Sequence, residues 1–113
     1  ENEIFITKLI DYMKKDKPYL NPDLSIAALA SELNVSSDYL SGILNGKLNR
    51  NFFDFVNKYR VEEFKIACKD PKNKNYTIIS IAYDCGFNSK ATFNRVFKAE
   101  TGYTPGEYQK LQS

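Results

Sequence analysis

Ile81-Ala82-Tyr83-Asp84-Cys85-Gly86-Phe87-Asn88-Ser89-Lys90-Ala91-Thr92-Phe93-Asn94-Arg95-Val96-Phe97-Lys98 is the stretch whose reading decides the fold. Two helices that cross at a steep angle need a small side chain at the crossing, and Ala82 supplies it. The chain must then turn sharply, which favours a residue tolerant of positive φ, and Gly86 stands there. Phe87 follows as an apolar plug. Asn88 or Ser89 can accept a hydrogen bond from the first free N–H groups of the next helix, on which Phe93 and Phe97 form one apolar face. The pattern is that of a helix-turn-helix.

The same wording occurs earlier. Leu29-Ala30, Asn34-Val35 and Ser36 match Ile81-Ala82, Gly86-Phe87 and Asn88 at an offset of 52. Leu40, Leu44 and Phe55 match Phe93, Phe97 and Tyr108 at an offset of 53. The second copy therefore carries one extra residue, either early in its second helix or in the turn before it.

Outward from these repeats the chain reads as all-α, with seven helices and no convincing strand. Ile4, Phe5, Leu9, Ile10 and Met13 space a first helix that ends near Asp16, ahead of Lys17-Pro18. A turn-rich link follows, then helices from about Ile26 to Leu33 and from Ser37 to Asn45, with Asn45-Gly46 as the expected stop. A long helix capped by Asn51 runs to about Cys68, with Phe52, Phe55, Val56, Tyr59, Phe64 and Ala67 as its buried stripe. Asp70 to Asn75 reads as a solvated loop. Thr77 caps a helix to Cys85, Lys90 to Glu100 forms the next, and Gly102 closes it. Thr104-Pro105-Gly106-Glu107 then combines a capping box with proline at the first helical position, opening a last helix to about Leu111. The expected organisation is a lead-in over residues 1–20, a first helix-turn-helix subdomain over 21–50, a linker helix over 51–69 and a second subdomain over 70–113.

Composition narrows the chemistry. With no histidine in 113 residues, the usual general base and His-containing zinc sites are missing, and an enzyme is not expected. Cys68 and Cys85 form no ligand cluster and read as buried, reduced thiols, as in a reducing cytoplasm. No apolar run approaches the roughly 20 residues of a membrane span. Because the chain opens on Glu1 rather than methionine, it reads as a fragment, with any sensor or effector domain outside it. The net charge of +2 is unevenly spread: residues 21–68 hold five basic and six acidic side chains, and residues 69–113 hold seven basic and four acidic. The electrostatic footprint of a duplex binder thus lies on the second repeat.

From about Leu24 to Tyr108 the chain resembles the DNA-binding domain of AraC/XylS-type transcription regulators. The most specific segments are Ile81 to Phe87, Phe93-Asn94-Arg95-Val96-Phe97-Lys98, and Thr101-Gly102-Tyr103-Thr104-Pro105-Gly106-Glu107-Tyr108. Tyr59-Arg60-Val61-Glu62 resembles the family's linker-helix pattern, and the first repeat matches less closely. The resemblance implies two helix-turn-helix units entering successive major grooves on one DNA face, with recognition helices at about 37–45 and 90–100. It also implies the output domain of a bacterial regulator, cytoplasmic or the cytoplasmic part of a membrane-anchored protein. The expected partners are double-stranded DNA with two half-sites about one turn apart, RNA polymerase, and a sensor domain elsewhere in the protein. No cofactor, metal or small-molecule ligand is expected.

Carried over residue by residue, the second reader's exposed positions are Asn88, Ser89, Lys90, Ala91, Thr92, Asn94, Arg95 and Lys98. Arg95 can form a bidentate contact to guanine, and Thr92 can touch a thymine methyl or a phosphate. In the first reader the matching positions are Ser37, Asp38, Ser41, Gly42 and Asn45, with Lys47 just beyond. This copy departs from the pattern at Gly42, where family members often carry a basic residue. The competing reading is a protein-interaction module in which the first repeat docks a partner domain or RNA polymerase and only the second reads DNA. Arg60 is expected to form an ion pair with a carboxylate on a neighbouring helix, and Tyr39 and Tyr83 to be packing aromatics with wet hydroxyls.

Overall fold

The computed structural model describes residues 2–112. Among them are seven α-helices and no strand: α1 (Asn2–Asp16), α2 (Ile26–Glu32), α3 (Ser37–Lys47), α4 (Phe52–Lys69), α5 (Ile78–Asp84), α6 (Lys90–Thr101) and α7 (Pro105–Gln112). Short 3-10 turns at Pro18–Leu20 and Pro71–Asn73 complete the order. The molecule measures 44 × 25 × 22 Å.

Local chemistry starts the helices where the sequence places the caps. Ser25, Ser36, Asn51, Thr77 and Ser89 each accept from a main-chain N–H three residues on. At α7 the box is reciprocal: Glu107 Oε1 accepts from the Thr104 N–H at 2.8 Å, and Thr104 Oγ1 accepts from the Glu107 N–H at 3.1 Å. Gly102 ends α6 in the left-handed region with φ 82°.

The two turns are built alike. Asn34 (φ 60°) and Gly86 (φ 106°) occupy the left-handed positions. Val35 N–H donates to Ala30 O at 3.0 Å, and Phe87 N–H donates to Ala82 O at 3.2 Å. The extra residue of the second copy lies in the turn. Ser36 caps α3 three positions after Leu33, whereas Ser89 caps α6 four positions after Cys85, so Asn88 is the insertion. Ala30 and Ala82 are both buried at the helix crossings.

Buried side chains form two clusters that share α4. Phe52, Phe55 and Val56 face the first, with Leu29, Leu33, Leu40, Ile43 and Leu44 from α2 and α3. Phe5, Leu9 and Met13 of α1 close that cluster, so the first helix is part of the core. Val61 and Phe64 face the second cluster, a continuous set of tilted and edge-on aromatic rings. Phe64, Phe87, Phe93, Phe97 and Tyr108 meet there with ring centroids 5.0 to 5.7 Å apart.

Two expectations are corrected. Asn45-Gly46 does not stop α3, which continues to Lys47. Asn45 Nδ2 instead donates to Ser41 O at 2.9 Å within the helix. The last carbonyls are closed by Leu48 N–H to Ile43 O at 3.3 Å and Arg50 N–H to Leu44 O at 3.1 Å, with the left-handed residue at Asn49 (φ 56°). Arg60 pairs with no carboxylate among the described residues. Its Nε donates to Tyr19 O at 2.7 Å, Nη2 to Asn21 O at 3.0 Å and Nη1 to Asn57 Oδ1 at 3.0 Å. The main chain of the lead-in provides acceptors at that depth, so a buried cation is satisfied without an anion.

This junction joins three parts of the molecule. A Cβ on Gly86 would overlap the Tyr19 carbonyl oxygen and lie 2.7 Å from Arg60 Nε. Glycine is thus required at Gly86 by space as well as by φ. Tyr19 stacks on Tyr59 at 5.5 Å, and its hydroxyl donates to Glu63, whose other oxygen pairs with Lys17 at 3.3 Å. Arg50 Nη1 reaches Glu100 Oε2 at 3.3 Å, linking the end of the first repeat to the end of α6.

Candidate nucleic-acid interface

Each second helix of the repeats buries one face and leaves another open. On α3 the buried face is Leu40, Ile43 and Leu44. Asp38, Gly42, Asn45 and Lys47 are exposed, and Ser37 and Ser41 are half-buried. On α6 the buried face is Phe93 and Phe97. Asn88, Lys90, Ala91, Asn94, Arg95 and Lys98 are exposed, and Ser89 and Thr92 are half-buried. None of the candidate positions is consumed by the core, and steps of three and four residues align each set along its helix.

Their hydrogen-bonding states differ. Ser89 Oγ accepts from the Thr92 N–H at 3.2 Å, so this side chain is committed to its helix cap. Asn45 Nδ2 is engaged with Ser41 O and Oγ. Lys47, Lys90 and Arg95 make no hydrogen bond or salt bridge among the described residues. The carboxylate of Glu100, the acidic residue of α6, is turned to Arg50. The exposed face of α6 therefore presents Lys90, Arg95 and Lys98 with the local anion partly neutralised, whereas α3 presents Asp38 in its first turn and Lys47 in its last.

A groove of about 280 Å³ lies between the start of α4 and the start of α6, with Phe53 and Asn57 of α4 and Thr92 and Arg95 of α6 in its lining. Phe53 is 69% exposed, and it was not among the candidate positions. The available signal was Phe52-Phe53 itself: adjacent residues lie about 100° apart on a helix, so both cannot face one core. Arg50 was passed over because its partner lies 50 residues away.

Other chemistry finds no assembly here. Among the described residues no three His, Cys, Asp or Glu side chains gather as metal ligands, and no helix is long and apolar enough to cross a membrane. No buried side-chain nitrogen or oxygen in the described residues lacks a hydrogen-bond partner. Cys85 is buried and Cys68 half-buried, both unpaired by disulfide. Burial, followed by the Glu63 and Asp84 carboxylates, pushes the Cys85 thiol up to about 12. Tyr39 packs edge-on against Phe5 and donates to Asn2 Oδ1 at 2.9 Å, while Tyr83 is exposed.

Comparison with known proteins agrees with this geometry. The model of a helix-turn-helix domain family matches residues 29–111. An uncharacterized HTH-type transcriptional regulator of Staphylococcus aureus is 32% identical over 108 residues, which are 96% of this chain and 14% of that protein. A protein of Streptomyces lividans described as an AraC-like transcription regulator is 27% identical over 86 residues, 76% of this chain and 27% of its own. The C-terminal domain of AraT, a response regulator from Geobacillus stearothermophilus, has the same fold with a TM-score of 0.77 and 25% identity, over 95% of this chain and 84% of that one. The chain thus spans a small part of the length of the curated relatives it matches.

Proposed function

The chain belongs to the AraC-type helix-turn-helix family of transcription-regulator DNA-binding domains, and on that premise we propose that it binds specific duplex DNA through α3 and α6, each entering a major groove. The carrying observation is the open face of α6, where Lys90 and Arg95 stand unpaired on a helix fixed by the aromatic cluster. A cation held on a rigid helix can reach a guanine edge or a phosphate without first giving up an internal partner.

The readers would act unequally. Lys90, Thr92, Arg95 and Lys98 supply cation and hydroxyl contacts from α6, with Asn88, Ala91 and Asn94 beside them. Ser37, Ser41, Asn45 and Gly42 give α3 smaller, mostly neutral contacts, with Lys47 toward a phosphate and Asp38 toward a cytosine amino group. The 18 residues of α4 span about 27 Å at ~1.5 Å per residue. That length suits two readers in grooves about one helical turn, or ~34 Å, apart. A sensor or receiver domain elsewhere in the protein would control this output, as the response-regulator relative suggests. The DNA-binding domain would itself work in the bacterial cytoplasm and contact RNA polymerase there.

Selection of bound duplexes from a random pool tests the reading. The expected product is two half-sites about 10 base pairs apart, bound with an affinity that falls steeply with salt. Arg95→Ala and Lys90→Ala should each weaken binding about tenfold or more. If neither changes affinity for any duplex, α6 is not a DNA reader. A single half-site, indifferent to Ser41→Ala and Asn45→Ala, would restrict reading to α6.

A further inference from the structure

We infer that the groove between Phe53 and Arg95 seats the sugar–phosphate backbone of the DNA segment lying between the two half-sites, with Phe53 against deoxyribose and Arg95 beside phosphate. This deepens the DNA-reading proposal and rests on it.

The repeat shows that Phe53 is not required by the fold. At the offset of 53 that aligns the cores, Phe52 matches Pro105 and Phe53 matches Gly106. Phe52 and Pro105 are both buried, so the fold uses a side chain at the first of these positions in both copies. At the second position one copy manages with no side chain at all, while the other exposes a phenyl ring to solvent. The Phe53 ring meets Phe52 edge-on at 5.5 Å and is otherwise open, which sets an apolar surface in the same groove as the exposed cation Arg95.

The chemistry of the groove selects the occupant. Pro22, Phe53 and Phe87 supply apolar surface, Asn57, Asn88 and Thr92 are polar, and Arg95 is an exposed cation with no ion pair among the described residues. No carboxylate among the described residues lines it. Arg60, also in the lining, is buried and already donates to three acceptors, which leaves Arg95 as the exposed cation of the groove. A nucleic-acid strand alternates an apolar sugar with an anionic phosphate and so complements both the aromatic and the cation. The groove is also continuous with α6, since Asn88, Thr92 and Arg95 belong to its proposed reading set.

The test compares wild type, Phe53→Ser and Arg95→Ala on a duplex with both half-sites and on a scrambled duplex of equal length, by fluorescence anisotropy and hydroxyl-radical footprinting. Phe53→Ser should weaken both duplexes about fivefold to tenfold, because the sugar it covers carries no sequence. Protection of the sugars between the half-sites should disappear, while the melting temperature of the free protein stays within about 2 °C because the ring is exposed. If Phe53→Ser binds within twofold of wild type and keeps that protection while Arg95→Ala loses affinity, the strand does not run through this groove and the α6 reading stands. If neither variant loses affinity, the DNA-reading proposal fails and this inference falls with it.

Discussion

Replacing Arg60 with alanine should be among the most damaging single changes to this domain, although Arg60 is not itself a proposed DNA contact. Its guanidinium donates to Tyr19 O, Asn21 O and Asn57 Oδ1 from a site only 7% exposed. The three acceptors fare differently once it is gone. Asn21 O keeps the Leu24 N–H at 3.2 Å. Tyr19 O keeps nothing from the following chain, because the residue three positions on is Pro22, which has no N–H, and the Asp23 N–H is already given to Asn21 Oδ1. One buried carbonyl is therefore orphaned at about 1–3 kcal/mol, and the Asn57 amide oxygen loses a charge-assisted bond worth roughly 1 kcal/mol more. With the lost packing of the arginine stem, the sum is about 3 kcal/mol, a large share of the ~5–15 kcal/mol that holds a domain together. For a chain of this size that lowers the melting temperature by about 12 °C. Arg60→Lys keeps the charge but cannot fork to three acceptors, and should cost about half as much. Thermal and urea unfolding followed by circular dichroism at equal pH and salt give both values. If Arg60→Ala loses less than about 1 kcal/mol, or Arg60→Lys matches wild type, the junction is not what fixes the lead-in to α4.

Three further outcomes can be measured on the free domain. Gly42 is exposed in the middle of α3, and a Cβ there would meet open space, so Gly42→Ala should raise stability by about 0.5–1 kcal/mol; an unchanged or lower urea midpoint would contradict this. The Thr104 main-chain and hydroxyl hydrogen bonds hold the Glu107 carboxyl below its usual range. A group whose folded pKa is depressed contributes fully above its unfolded value and loses that contribution as pH falls through the folded one, so the small stabilising effect should fade below about pH 4.3 and be missing in Glu107→Gln. Comparison of the two proteins' melting curves from pH 3 to 6 would show a constant gap if this is wrong. Cys85, buried with its thiol held up to about 12, should resist alkylation at pH 8 until the protein unfolds, with half-buried Cys68 reacting first. Mass spectrometry of partly labelled protein decides the order.

Most of the architecture was legible because it is written in local signals. Apolar periodicity, side-chain caps and the Asn34 and Gly86 turns act within a few residues of themselves, and each is found where the sequence places it. The end of α3 was misjudged for a physical reason. Gly46 is permitted to leave the helix but not compelled to, and partners up to six residues apart carried the helix on to Lys47. Arg60 shows a different limit. A buried cation implies an acceptor, but main-chain oxygens 39 and 41 residues away leave no mark in side-chain spacing. The exposed set on α3 and α6 was carried over from the family resemblance, and the buried Leu40, Leu44, Phe93 and Phe97 between those positions leave them open to solvent. For Phe53 the Phe52-Phe53 pair shows that one ring must leave the core, but what that ring faces depends on how α4 and α6 come together.

The extra residue Asn88 in the second turn has a consequence for orientation. Twofold dimers read inverted half-sites and meet the same sequence from either end, so their sites have no direction. Here the two units follow one another along a single chain, with turns of different length and unlike side chains facing outward. A site matched to them cannot be reversed end for end and remain the same site. One copy of this domain would then sit on DNA with a defined head and tail, giving polarity to its operator without a second subunit.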